Sequence, residues 1–391
     1  MTEATPERLV DPELHASGDP HATWRWMRTH APVYWHEPSE FPEFWSITRR
    51  EDVRAIYRNP NIFSSAHGVL LRPERHGIDP GGGLTLALSD PPRHTDLQSI
   101  VASWFTRRFT QQLEAGIRLE VRGLIKSAMD QGECDFTHDV AARVTHGAIC
   151  RIMGVPEEDR DWLFFCSHEA FDAGRSLASH PEFMEYFANL MELRMAEPSD
   201  DLLSALVDGM VGGELLTEME ILLNCESLVG ATENAGLSMA GGILAFVEHP
   251  DQWRRLQQDR SLMPTAIEEV LRWTSSAAHS MRVAAQPTVV RDQRIDAGDR
   301  VVLWIPSANH DESVFAHPEC FDIGRRPNPQ LAFGVGEHLC LGKILARTQL
   351  QVLFSELVDA VDRIEPSGAH VRVRSLAVRG PARLPVRLVP L

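Results

Sequence analysis

Apolar residues recur every three or four positions along most of this chain and alternate in only a few short stretches, a pattern that predicts helices with minor strands. Trp24 and Met27 lie three apart in a helical stretch over 21–28. Val33-Tyr34-Trp35 and Phe44-Trp45-Ser46-Ile47 then read as two strands around a proline-rich turn, with a further helix over 51–57. Residues 64–90 are rich in Gly and Pro and include Gly81-Gly82-Gly83, a length that marks a functional or mobile loop. Beyond it helices are predicted at 94–105, 109–130, 136–153, 157–171, 181–195, 200–210, 216–247, 251–258 and 264–274. Short strands are expected near 282–290, 293–295, 300–303, 370–374 and 385–389. No repeat or linker interrupts the sequence. The expectation is a mainly α fold with minor β, one domain over 21–391 preceded by an N-terminal extension at 1–20.

Composition narrows the classes of function. The 38 Lys and Arg against 55 Asp and Glu give a net charge of −17, which argues against partners with phosphate backbones or anionic membranes. Residues 1–20 are polar and acidic with no apolar core, so neither a signal peptide nor a membrane anchor is expected. The cysteines at 134, 150, 166, 225, 320 and 340 contain no C-x-x-C, which supports neither a zinc site nor a disulfide framework and fits a reducing cytoplasm.

One cysteine stands apart. Phe333-Gly334-Val335-Gly336-Glu337-His338-Leu339-Cys340-Leu341-Gly342 places it in a glycine-rich loop just before a helical pattern over 341–350. Gly334 and Gly336 can take positive φ or let backbone approach a flat ligand, and a helix N-terminus favours an anion such as a metal-bound thiolate at Cys340. An inert buried cysteine is the plainer alternative. Upstream, Glu269 and Arg272 share a helix face with Glu268 turned aside, a pair that taken alone reads as a solvated one. Within 216–247, Gly230, Ala231, Thr232, Glu233 and Asn234 interrupt an apolar run, as at a bend or a ligand groove.

These three motifs, in this order, resemble the cytochrome P450 family. The cysteine loop matches Phe-Gly-x-Gly-x-His-x-Cys-x-Gly at every fixed position, and Glu269 and Arg272 match the family's Glu-x-x-Arg. The resemblance implies the family's single-domain fold, with haem b (iron protoporphyrin IX) between a long central helix and the cysteine loop. It also implies Cys340 as iron ligand and haem contacts from Phe333, Gly334, Gly336, Gly342 and Ala231. His94, Arg282 and His338 match propionate contacts. The family's arginine four residues after that first histidine is Gln98 here, leaving Arg93 as an alternative cation. Its arginine before the Phe of the preceding meander is Cys320, with Arg325 or Arg326 as substitute. Glu233 matches the acid of the oxygen-binding segment, whereas Asn234 stands where the family has threonine.

The activity implied is insertion of one atom of O2 into a small or medium organic molecule. Electrons would come from a separate ferredoxin or flavodoxin with its NAD(P)H-dependent reductase, and many bacterial members of this kind tailor secondary metabolites. Oxidative coupling or rearrangement, a steroid or lipid hydroxylase, and a non-catalytic haem protein are the alternatives. Substrate contacts are expected from the 64–90 loop, helices near 163–190, residues 275–281 and the stretch around Leu376, with Ala278, His279 and Leu376 as candidates. The run Ser275-Ser276-Ala277-Ala278-His279-Ser280-Met281 suggests a polar substrate, unless its hydroxyls bond to backbone in a turn.

Overall fold

Local capping fixes where the long helices begin and end. Thr106 accepts the Phe109 N–H and opens Arg107–Gln131, which Gly132 closes at φ +83°. Thr217 and Glu220 cap each other reciprocally at the start of Glu218–Gly230. In the computed structural model, which describes residues 5–73, 79–172 and 177–391, a second central helix, Thr232–Glu248, follows Glu218–Gly230.

The helix expected over 216–247 is therefore two, hinged at Ala231, where the Thr232 hydroxyl donates to the Val229 carbonyl oxygen at 2.7 Å and competes with the helical ladder. Past the hinge the helix is buried nearly all round. It crosses Met263–Thr274 and Lys343–Ala360 at Gly242, where an added Cβ would meet Val270 Cγ1 at 2.8 Å and Phe354 Cζ at 2.9 Å. Only a glycine allows that approach. The crossing packs the central helix closely on Lys343–Ala360, the helix that the cysteine loop precedes.

A five-stranded sheet packs at one edge in the order Val33–His36, Phe44–Ile47, Arg300–Trp304, His279–Ala284, Phe63–Ser64. Phe44–Ile47 and Arg300–Trp304 run parallel, and the other neighbours antiparallel. A smaller sheet joins Val361–Pro366, Pro385–Pro390 and Cys134–Asp135. The main apolar core lies among the helices, a second lies under the five-stranded sheet, and a third gathers around Trp24, Met27 and Trp304.

The third core corrects the boundary expected at residue 20. Pro6–Val10 and Pro12–Ala16 fold as a 3-10 turn and a short helix, and Leu9 and Leu14 are buried against Trp24 and Trp304. So few apolar residues in a polar stretch leave no periodicity to read; residues 1–4 lie outside the described part. Other elements shift as well. Phe136–Ala142 is a π-helical turn ahead of Arg143–Met153, the 282–290 strand divides into His279–Ala284 and Thr288–Val290, and 200–210 ends as helix at Val207. Among the described residues, no helix is long and apolar enough to cross a membrane.

Candidate active site

The cysteine loop is held by its own backbone. The Gly334 N–H donates to the Leu331 carbonyl oxygen at 2.9 Å, the Leu339 N–H to that of Gly336 at 3.1 Å and the Cys340 N–H to that of Phe333 at 2.9 Å. Gly334 and Gly336 sit at φ +65° and +83°, and a Cβ at Gly336 would stand 2.6 Å from the Tyr57 carbonyl oxygen. Both glycines are thus demanded by geometry. The Cys340 thiol is closely surrounded by protein yet keeps a solvent-exposed side. Burial raises its thiol pKa, and the backbone N–H groups of Gly342 and Lys343, with the charges of Lys343 and Arg347, work against that rise. The buried Cys134 and Cys150 sit in apolar surroundings that push them up to about 12.

Three further predicted residues converge next to the cysteine loop. The rings of His94 and His338 lie 4.2 Å apart, and His94 Nδ1 and His338 Nε2 are buried with no hydrogen-bond partner. Burial, then Arg282 and His94, depress His338 to about 3. Arg282 is buried, donates through Nη1 to Ser280 Oγ and the Met281 carbonyl oxygen, and lies over the Tyr57 ring at 5.2 Å. No carboxylate among the described residues is within salt-bridge distance of it. A buried cation beside two orphaned imidazole nitrogens is a site built for anionic oxygen, which is what haem carboxylates offer. The residues present therefore fit the group. Gln98 lies one turn beyond His94, whereas Arg93 is turned away, bonded to the Gly83 carbonyl oxygen and to Glu220.

Behind the loop, Arg272 grips Glu269 through two bonds of 2.8 Å, both side chains fully buried. Arg272 also donates to the carbonyl oxygens of Asn309 and Pro318. Arg325 fills the meander position that the sequence left open, donating to both Glu269 oxygens and to the carbonyl oxygens of Ala316, His317 and Cys320. Asn328 completes the carboxylate's shell. Sequence reasoning missed a second brace: Glu268 binds Arg347, whose guanidinium lies 4.6 Å from the Phe333 ring centroid, tying the Glu-x-x-Arg helix directly to the cysteine loop. Arg347 stands two helical turns after Cys340, the spacing that could have revealed it.

Glu233 and Asn234 diverge by a helical step. Glu233 lines a small cavity with Thr137, Phe164 and His168, whereas Asn234 Oδ1 is buried without a partner. The candidate substrate contacts are corrected. His279 Nδ1 donates to the Leu376 carbonyl oxygen at 2.8 Å and its Nε2 accepts the Leu71 N–H at 2.9 Å, so neither nitrogen can reach a ligand. Leu376 belongs to the core around Trp304, and Ala278 has no surface on any cavity. The serines of this run are spent internally: Ser275 donates to the Arg272 carbonyl oxygen, Ser276 meets Ser238 and Ser280 serves Arg282. The polar run is thus a structural joint, and the inference of a polar substrate falls with it. Of the other expected substrate segments, residues 74–78 and 173–176 lie outside the described residues.

Comparison with known proteins places this geometry in context. A family model described as Cytochrome P450 matches residues 182–361. The chain is 34% identical over 389 residues to Cytochrome P450 NovI of Streptomyces niveus, covering 97% of this chain and 96% of that one. It is 35% identical over 364 residues to a steroid C26-monooxygenase of Mycobacterium tuberculosis, covering 90% and 89%. Among solved structures, P450 OxyD, described as involved in the biosynthesis of vancomycin-type antibiotics, superposes with a TM-score of 0.90 at 30% identity, covering 97% of this chain and 99% of that one.

Proposed function

Since this chain belongs to the cytochrome P450 family and is a monooxygenase of that family, we propose that it binds haem b through Cys340 and inserts one atom of O2 into a small or medium organic substrate during secondary-metabolite tailoring. The observation that carries the reading is the grouping around the cysteine loop: an exposed thiol at Cys340, with a buried arginine and two orphaned histidine nitrogens at Arg282, His94 and His338. When bound, the haem would supply an iron centre for the reduction of dioxygen, and a thiolate ligand from Cys340 would favour cleavage of the O–O bond.

The protein's own part is electrostatic and positional. N–H groups of Gly342 and Lys343 stabilise negative charge on Cys340 Sγ. His94, His338 and Arg282 would hold the propionates, Phe333 and the glycines of the loop would leave room for the flat ring, and Gly342 opens the following helix. On the distal side Ala231 is the exposed residue at the hinge, and Asn234 holds a water or a substrate group through its unpartnered Oδ1. Glu233 would bear on proton supply through the cavity it lines. Electrons would arrive from a separate ferredoxin or flavodoxin with its NAD(P)H-dependent reductase.

The support for tailoring of a secondary metabolite is the likeness to P450 OxyD across nearly the whole chain. Asn234, in place of the family's threonine, favours a second reading in which the reaction is an oxidative coupling or rearrangement. Turnover under 18O-labelled dioxygen decides between them: monooxygenation puts one labelled atom in product, and a product without label would overturn it. The assignment of Cys340 is checked separately. Reduced protein under carbon monoxide should show the red-shifted Soret band of thiolate ligation, and a Cys340→Ala variant that kept this band would refute the assignment.

A further inference from the structure

A second cavity, of about 840 Å³, shares no lining residue with the small cavity at Glu233 and is lined by no residue of the cysteine loop. Its walls are the turn at Gly18 and Asp19, the later part of the central helix at Gly241 and Leu244, and the C-terminal hairpin at Val373 and Arg379. Beside it four buried nitrogen atoms without partners gather around Trp24: His15 Nδ1, His21 Nδ1, Trp24 Nε1 and Arg379 Nη1. The His15 and His21 rings stand 5.9 and 5.1 Å from the Trp24 ring, and the Arg379 guanidinium lies 5.4 Å over it.

The bonds these groups do make fix what the orphans can offer. His21 Nε2 accepts from Arg379 Nη2 at 3.0 Å, so its Nδ1 carries the proton and is a donor. His15 Nε2 donates to the Leu9 carbonyl oxygen at 2.9 Å, which leaves its Nδ1 an acceptor. Arg379 Nη1, His21 Nδ1 and Trp24 Nε1 therefore make three donors against one acceptor. Arg379 has no carboxylate within salt-bridge distance among the described residues. Burial and the neighbouring Arg372 pull it down to about 10, with Asp19 opposing them. Arg25 and Arg28, also on the cavity wall, share a single carboxylate, Glu312. Asp19, Glu248 and Glu319 also line the cavity, but none of them pairs with Arg379.

Ordered water would satisfy the donors but leave the guanidinium without a directly paired anion, and the cavity is far larger than a few waters require. We propose that it binds an organic oxyanion, with the carboxylate or phosphate end on Arg379 and His21 and the body along Trp273 and Leu244. This is a ligand site separate from the haem cleft, and its occupancy is open to measurement without turnover.

The test uses haem-loaded protein titrated calorimetrically with phenyl phosphate, benzoate and inorganic phosphate at constant ionic strength. Thermal unfolding is followed in parallel. One equivalent of phenyl phosphate or benzoate should bind and raise the melting temperature, with inorganic phosphate weaker because it lacks a body; the stronger of the two organic probes identifies the anionic end. Arg379→Met should bind at least about tenfold more weakly, as loss of a charge-assisted bond implies, with an unchanged Soret spectrum. In anion-free buffer the same variant should be as stable as the parent or more so, since it removes an uncompensated charge. His21→Phe keeps the ring, loses the donor and should weaken binding in the same way. No binding by any probe at millimolar concentration, binding unaffected by either variant, or a marked loss of stability in Arg379→Met without anion would each overturn the proposal.

Discussion

At Asn234 a carboxamide divides between two atoms what a threonine hydroxyl does at one, so it can steady a water or a substrate group but cannot relay a proton through a single atom. Its Oδ1 is buried without a partner, which argues against an amide that has merely bonded back to its own helix through that oxygen. Asn234→Ala should lower product formed per NAD(P)H consumed, and Asn234→Thr should hold that ratio near the parent value; unchanged coupling with only substrate affinity altered would move Asn234 to recognition. The histidine pair makes a second prediction. His94→Phe and His338→Phe each remove one orphaned nitrogen facing the proposed propionates, so haem transfer to an apoprotein acceptor should speed up about tenfold, the worth of one charged hydrogen bond. Gln98→Arg, adding a cation one turn from His94, should slow it. Equal transfer rates in all three variants would place the propionates elsewhere.

Among the elements, the buried Glu269 carboxylate joins a helix to the meander. It accepts from Arg272, Arg325 and Asn328 and from the Asp322 N–H, so one side chain ties Met263–Thr274 to residues 322–328. Glu269→Ala or Arg272→Ala strands a buried charge and should cost about 3–5 kcal/mol, read as lost soluble, haem-loaded yield and a lower urea midpoint. Arg325→Met should fall in the same direction. A normal midpoint in any of them would sink the structural role. The Glu-x-x-Arg spacing was legible because a three-residue offset puts both groups on one helix face. Arg325 was not, because a meander has no period from which to choose between Arg325 and Arg326; only the carbonyl oxygens of Ala316, His317 and Cys320 select it. The joint after this helix was equally hidden. Ser275 takes left-handed backbone at φ 42°, which a non-glycine residue adopts at a cost of about 1–3 kcal/mol, and Asn309 Nδ2 donating to its hydroxyl from far along the chain helps hold it there.

Across the whole molecule, what the sequence disclosed were features of local period: most helix positions, the hinge at Ala231 and the cysteine loop. What it concealed were contacts between distant segments, such as Leu9 on Trp304, His279 on Leu71 and Leu376, and the cavity at Arg379. Several of those distant contacts are made by buried histidines, and they set how stability answers to pH. Burial depresses His15, His36, His146 and His279 each to about 4, and His21 and His310 well below the usual imidazole range. In the unfolded chain each titrates near 6.5, so below that pH the unfolded state binds more protons than the folded one. Their contribution is therefore complete above about 6.5 and is lost as pH falls towards 4, at up to about 1.4 kcal/mol per pH unit for each histidine. Unperturbed carboxylates protonate mainly below about 4.5, so the upper part of this window belongs to imidazole. Urea midpoints should drop steeply between pH 6.5 and 5. His36 stacks on Phe44 and faces Ser46 Oγ at 2.8 Å, so His36→Phe keeps the ring packing while removing one proton-binding site. That variant should flatten the slope by about one histidine's share. A midpoint that stays level across the window in the parent protein, or a slope unchanged by His36→Phe, would show that these imidazoles are not held neutral by the fold.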